Sequence, residues 1–480
     1  MKGIVMKAIC LPLTMAALAL GTFAACGDDS GLVGDDQPEI DAPPMPEIDA
    51  PPGVTIVDVP AGDIDTSTTW TKDHIYVLKG YVWVTGGTLT IEAGTVVRGD
   101  NGSALTVTKD AKLNAIGTAS EPIVFTSSSA TPKSGDWGGL VMLGKATINV
   151  AGGTNGIEGF ATSFGERIRY GGADNAHDCG KLKYARIEFA GFELAPANEL
   201  NGLTLGGCGS ATEVDYVQSH YGLDDGIEIF GGTVSPKHLV ISAYDDDGLD
   251  WDLGWTGKAQ FVVIQQKQDR GDKGFEADNH PSVFTSTPIS APEIWNVTLI
   301  GGDGAVATKK QGAMHLRRGT GGKISNAVVA YWNNFAVDID GFVSRDRFGT
   351  DLTIHHTYFL KATAAAALNA NNFDFFDHDA MAATPTIEND CDGPPATPGT
   401  TNCFNELTTL TADTTNHMNV DPMLTNPKDF AAPNWKPMAG SPVLTGCDTP
   451  PAGLDTTATF CGAIGATDWT AGWTAYPVSN

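Results

Sequence analysis

Asp224-Asp225-Gly226-Ile227-Glu228, Asp246-Asp247-Gly248-Leu249-Asp250 and Asp272-Lys273-Gly274-Phe275-Glu276 repeat one pattern. Each reads acid, acid or lysine, glycine, large apolar residue, acid, and the copies start 22 and 26 residues apart. Gln311-Gly312-Ala313-Met314 and Asn334-Phe335-Ala336-Val337-Asp338 are weaker later copies. A second series of β-type runs interleaves with the first: LKYARIEF (182–189), VDYVQSH (214–220), KHLVISA (237–243), AQFVVIQ (259–265), IWNVTLI (294–300) and GKISNAVVAYW (322–332). Short strands broken by Gly, Asn and Asp begin well before these, as in TLTIEAGTVV (88–97) and PIVFTSS (122–128). A unit of this length carrying two or three strands buries its apolar side chains only by stacking on its neighbours. Propeller blades are longer, ~40–45 residues with four strands. The repeat therefore predicts an all-β solenoid, a parallel β-helix.

The 480 residues hold 29 Lys+Arg against 57 Asp+Glu, a net charge of −28, with 42 Asp and 15 Glu. A hydrophobic content of 41% supplies a large core and excludes a disordered acidic polymer. The charge argues against a nucleic-acid partner and fits a chain that handles cations or neutral or cationic partners.

Residues 1–25 carry Lys2, Lys7, no acid and an apolar run from Ala8 to Leu20, the layout of a secretory signal peptide. The segment ends in Phe23-Ala24-Ala25-Cys26-Gly27, which resembles a bacterial lipobox, with Phe23 where Leu is usual. The resemblance implies cleavage before Cys26 and lipidation of its thiol, hence a membrane partner and an address at the bacterial outer membrane or cell surface. Residues 26–68 then read as the lipidated Cys and a Pro/Asp-rich tether, in which PEIDAPP occurs at 38–44 and again at 46–52. The β-helix is expected over 69–380 and C-terminal coils with a cap over 381–480, the tail after 406 closing the open end. Residues 144–181 read as a long excursion off the coils, and Ala364–Ala367 as the best local helix candidate. Cys179, Cys208, Cys391, Cys403, Cys447 and Cys461 remain for disulfides in an exported chain. Six cysteines allow 15 pairings; nearest neighbours (179–208, 391–403, 447–461) are the pairing adopted.

The stretch from about 86 to 470 resembles the right-handed parallel β-helix proteins of the pectate-lyase-like type, and among them bacterial surface and secreted β-helix proteins. The resemblance is carried by GTLTIEAGTVV (87–97), GDWGGLVMLGKATIN (135–149), NGLTLGGCGS (201–210), DDGIEIFGGTV (224–234) and, near the end, DPMLTNP (421–427) and GAIGATDWTAGW (462–473). It implies a right-handed helix with loop excursions and a disulfide-containing C-terminal cap, and says almost nothing about activity.

Strand alternation turns Ile227 and Ile229 inward and Glu228, Asp250 and Glu276 outward. Coils ~4.8 Å apart would stack these three into a carboxylate ladder. Asp224, Asp246 and Asp272 would form a second at the preceding turn, with Asp225, Asp247 and Lys273 beside it. Like charges ~5 Å apart repel by about 3 kcal/mol at an effective dielectric of ~20, so a bound cation, raised pKa values or Lys273 must compensate. Oxygen ligands, with Asp278 and Asn279 nearby, suit Ca²⁺ best.

Three readings of these acids stay open: solvated turn residues, a Ca²⁺ site at Asp224, Asp225, Glu228, Asp246, Asp247, Asp250, Asp272 and Glu276, and catalysis. For the last, the resemblance to pectate lyases implies Ca²⁺ on the ladder and a base among Arg270, Lys273, Arg317 and Arg318. Polygalacturonases instead use aspartates from successive coils as acid and base. Asp224-Asp225 resembles their paired aspartates, but their Gly-His-Gly and Arg-x-Lys elements are absent. For an enzyme the candidate catalytic residues are Asp225, Asp247, Lys273 and Arg317. His220, His238 and His315 are expected to be structural, and Trp251, Trp255, Trp295, Tyr331 and Trp332 to pack in the core rather than form a sugar platform. The expectation is an anchored surface protein that binds Ca²⁺ and presents a lateral face to a glycan or surface protein. The alternatives are a polysaccharide lyase or hydrolase, and a structural envelope lipoprotein.

Overall fold

The structure is a computed structural model that describes residues 53–195, 198–302, 310–360 and 406–477. The expected signal peptide, Cys26, the PEIDAPP repeats, the Ala364–Ala367 helix and the Cys391–Cys403 pair lie outside these residues. The first two strands, Thr55–Val59 and Gly62–Ile64, fall in the segment read as tether, so the coils begin earlier than the sequence suggests.

Two parallel sheets run the length of the solenoid, one of 15 strands and one of 10. The three N-terminal coils carry three strands each, for example His74–Leu78, Tyr81–Val84 and Thr88–Ile91. Two of these faces then merge. The strand Gly180–Glu188 pairs through Leu182 with Ala115 and through Ala185 with Ile123, so one long strand continues both. The bend falls at Tyr184, with φ 47°. Tyr216, His238, Phe261, Asn296, Asn326 and His356 take the same corner in later coils, with φ from 48° to 62°.

Left-handed backbone costs a non-glycine residue ~1–2 kcal/mol. Stacked rings offset that cost: Tyr184 on Tyr216 at 4.3 Å, Tyr216 on His238 at 4.1 Å, and His238 on Phe261 at 4.7 Å. Asn296 and Asn326 instead donate from Nδ2 to carbonyls of the C-terminal segment. Tyr216→Leu removes two of the stacks and is expected to lower unfolding free energy by about 1–2 kcal/mol in a urea titration.

Inside, Ile227, Ile229, Leu239, Ile241 and Leu249 are fully buried, as the alternation requires. The repeated glycines are set by close approach between coils. A Cβ on Gly248 would lie 2.6 Å from the carbonyl oxygen of Gly274, and one on Gly274 the same distance from that of Ala313. Trp251, Trp255, Trp295 and Trp332 are all buried, which satisfies the packing reading. His220 bonds Ser242 and the Pro477 carbonyl, and His238 pairs with Asp215, so both are structural.

The C-terminal segment only partly caps the end. The helix Glu406–Ala412 places Leu410 on the last coil's core, and Glu406 accepts the amide of Ile339. The rest runs back along the outer face of the long sheet. There Trp435, Val443, Ile464 and Trp473 cover Val240, Val263, Ile300 and Val328, outward residues that would otherwise meet water. Gln218 and Gln260 fasten the segment by donating to the Ala475 and Asp455 carbonyls. Disulfides join Cys179 to Cys208 and Cys447 to Cys461, two of the three adopted pairs.

Candidate functional site

The three acidic copies lie on the shorter sheet, where Glu228 pairs with Asp250 and Asp250 with Glu276. The column starts a coil earlier at Thr204 and continues to His315 and Asp338. Two residues further along the same face stand Asp252, Asp278, Arg317 and Asp340. Of the predicted turn ladder, Asp224, Asp225 and Asp246 offer oxygens within 4.8 Å of one another, as do Asp246, Asp247 and Asp272.

Solvated turn residues describe Asp246, which is exposed, but not Asp225, Glu228 and Asp247, which are only 5%, 6% and 3% exposed. They face away from the coil interior yet are covered. Residues 144–179 fold over the outer side of the sheet, where Ile148, Ile157, Phe160 and Tyr170 pack on Trp83, Leu143 and Phe230. An Arg167–Asp63 ion pair at 2.7 Å ties this excursion down. It brings Glu158 to the acids, while Glu193 and Glu199 come from a short hairpin and Pro281 from the loop after the strand Lys273–Ala277. The result is a groove of about 860 Å³ lined, among the described residues, by twelve carboxylates and two bases, Arg317 and Arg318.

Asp225 and Asp247 have a bracing role that the sequence reading did not give them. Asp225 accepts the amide of Asp247 at 2.8 Å, and Asp247 accepts the amide of Lys273 at 2.6 Å. Each carboxylate thus fixes the turn of the next coil, which makes them poor candidates for a mobile acid and base. Asn201 stands at the same place one coil earlier and donates to Glu228 at 2.6 Å.

The two ends of the groove differ in charge. At one end Glu276 lies beside Arg317, 3.5 Å from His315 and 3.7 Å from Lys273. Asp278 meets Arg317 at 2.8 Å and Arg318 at 2.9 Å. Burial would raise the Glu276 pKa, but His315, Arg317 and Lys273 hold it down at about 2. Burial likewise opposes a charged His315, yet Asp340, Glu276 and Asp338 lift it to about 9, so this ring is a cation at neutral pH. His315, expected to be structural, is held between Glu276, Asp338 and Asp340.

At the other end no base lines the groove among the described residues. Burial first, then Asp246, Glu199 and Glu158, push Asp224 up to about 8. Asp252, nearer the arginines, is pushed to about 7 by burial and Asp278, with Arg318 opposing. Asp225, Glu228, Asp247 and Asp250 are all raised well above the carboxylate range, by burial and then by their acidic neighbours.

The donors fit a hard divalent cation. Asp225, Glu228 and Asp250 offer oxygens within 4.8 Å of one another, as do Asp247, Asp250 and Glu276. Asp250 belongs to both groups, and its Oδ1 is buried without a hydrogen-bond partner. An all-carboxylate set of this kind matches Ca²⁺ rather than a softer metal.

A parallel β-helix with an acidic groove on one sheet face defines the class. The chain belongs to the pectate-lyase-like β-helix domain family, whose model matches residues 62–400. Neither curated proteins nor solved structures give a match.

Proposed function

We propose that this protein holds Ca²⁺ in the acidic groove and binds a glycan there. Asp225, Glu228 and Asp250 are the central ligands, with Asp224, Asp246, Asp247, Asp272 and Glu276 around them. The single observation behind the reading is the end of the groove where, among the described residues, carboxylates crowd together with no basic side chain in the lining. The ion supplies the missing positive charge and a point of attachment for sugar hydroxyls or carboxylates. The signal-like N-terminus and Cys26 support an exported protein, lipid-anchored at the bacterial outer membrane or cell surface.

The walls favour a second reading, a polysaccharide lyase or hydrolase, because a groove closed by Glu158, Glu199 and Pro281 is shaped to hold a chain in place. Lys273 and Arg317 would then be the bases nearest the acids, although both are engaged with carboxylates.

The test is retention of residues 27–480 on an immobilised acidic polysaccharide, with Ca²⁺ and with EDTA. Retention that needs Ca²⁺ and falls about tenfold in affinity in Glu228→Gln supports the binding reading. Shortened or unsaturated chains in the eluate would establish the enzyme instead. Retention unchanged by EDTA would remove the cation from the account.

A further inference from the structure

We propose that a second pocket, separate from the acidic groove, binds a single sugar residue carrying an acidic group. It lies where the strand Lys258–Gln265 ends, and Gln265, Lys267, Asp269, Gly301, Lys428 and Phe430 are among its lining. Its volume of about 460 Å³ falls within the ~300–1,000 Å³ usual for small-ligand sites.

Charge is the first observation. In a chain of net charge −28 this pocket is lined by two lysines against one aspartate, the reverse of the groove. The second is an unmet hydrogen-bond acceptor. Gln265 is 1% exposed, and its Nε2 donates to the Pro427 carbonyl at 2.9 Å, which fixes the amide's orientation. Its Oε1 is buried with no partner and calls for a donor such as a hydroxyl. The neighbouring Gln266 is different: it accepts the Lys267 amide at 2.8 Å and donates to the Tyr244 carbonyl at 3.1 Å, so it only braces the turn.

The third observation is a held ammonium beside an aromatic ring. Lys267 Nζ donates to the Tyr221 hydroxyl at 3.0 Å and stands 5.7 Å from the centre of the Phe430 ring. It also has the exposed Asp269 carboxylate at 3.9 Å, a loose contact that an incoming anion would replace. Phe430 stacks on His220 at 5.9 Å and stays half-buried in the pocket lining. An acceptor for a hydroxyl, an ammonium for an anion and a ring for an apolar sugar face together describe a pyranose with a carboxylate or a sulfate. Both sources share that chemistry.

The test is saturation-transfer NMR and calorimetry on residues 27–480 in EDTA, where the acidic groove repels anions. The probes are glucuronate, a sulfated galactose, glucose and inorganic sulfate. Transfer to ring protons of glucuronate or of the sulfated sugar is expected, and which of the two responds identifies the anion. Lys267→Met and Gln265→Leu should each weaken that probe by about tenfold. Lys267→Met sits at the pocket rim and keeps the proposal testable should Gln265→Leu fail to fold. Glucose binding as well as the charged sugars, sulfate binding as tightly as they do, no binding of any probe, or an unchanged Lys267→Met would each overturn the proposal.

Discussion

Arg317→Ala should destabilise the protein by about 3–5 kcal/mol, the usual effect of stripping one partner from a buried ion pair. Arg317 lies between Glu276 and Asp278, whose side chains are only 14% and 6% exposed. Without it, Lys273 and His315 still flank Glu276, but Asp278 keeps only Arg318. Asp278 would then sit in the groove with one of its two guanidinium partners, and Glu276 without its guanidinium. Lysine at this position should recover only part of the loss, since a point charge cannot reproduce the planar fork that meets both acids. A urea titration of the two variants measures this directly. A loss under about 1 kcal/mol for Arg317→Ala would mean that this end of the groove is far wetter than its burial implies.

Asp250→Asn is expected to act with the opposite sign when no divalent cation is present. Asp250 pairs with Glu228 on one side and Glu276 on the other. Burial and neighbouring acids raise Asp250 well above the carboxylate range. Folding at pH 8 therefore either protonates it or meets a repulsion of about 3 kcal/mol per like-charge contact at ~5 Å and an effective dielectric of ~20. The amide escapes both and should stabilise the EDTA-treated protein by up to about 3 kcal/mol. The same change removes a ligand and should erase most of the stabilisation by Ca²⁺.

The pH dependence follows from the raised carboxylates. Their folded pKa values lie above the unfolded ones, about 7 for Asp252 and about 8 for Asp224. Their contribution is therefore fully present below the unfolded value of ~4 and is lost as pH climbs through the folded values. The cation-free protein should lose stability from about pH 4 to pH 8, while Ca²⁺ affinity rises over that range because binding expels protons. Melting in EDTA across this range checks the sign. A cation-free protein that gains stability toward pH 8 would contradict the raised values.

The column of the acidic face was legible because coil stacking is a one-dimensional rule. Once Ile227, Leu249 and Phe275 face inward, Glu228, Asp250 and Glu276 have to stack. His315 escaped because the later copy aligns glycine on glycine, Gly312 on Gly274, which puts Met314 at the acid position. The real register pairs Gly312 with Lys273 and His315 with Glu276. It is fixed by Met314 entering the core, not by the glycine. Asn201 and Thr204 were missed for a similar reason: NGLT occupies the same frame as DGIE, with an amide and a hydroxyl in place of acids.

Walls were beyond the sequence, since nothing local says where Glu158 will land. Its position depends on Phe160 and Tyr170 packing against residues of distant coils. The outward-facing Val240, Val263, Ile300 and Val328 did carry a signal. Apolar residues on both faces of these strands mean a covered sheet, and the C-terminal segment is the cover.

The central claim is that the base-free end of the groove holds a divalent cation. Its most direct test is the melting of residues 27–480 in EDTA, followed by a Ca²⁺ series and a Mg²⁺ series at matched ionic strength. The account predicts a melting temperature that climbs with the logarithm of free Ca²⁺ above its dissociation constant, well beyond the Mg²⁺ response, and that scarcely moves in Asp250→Asn. Equal responses to Ca²⁺, Mg²⁺ and plain salt, unchanged in the variant, would contradict it.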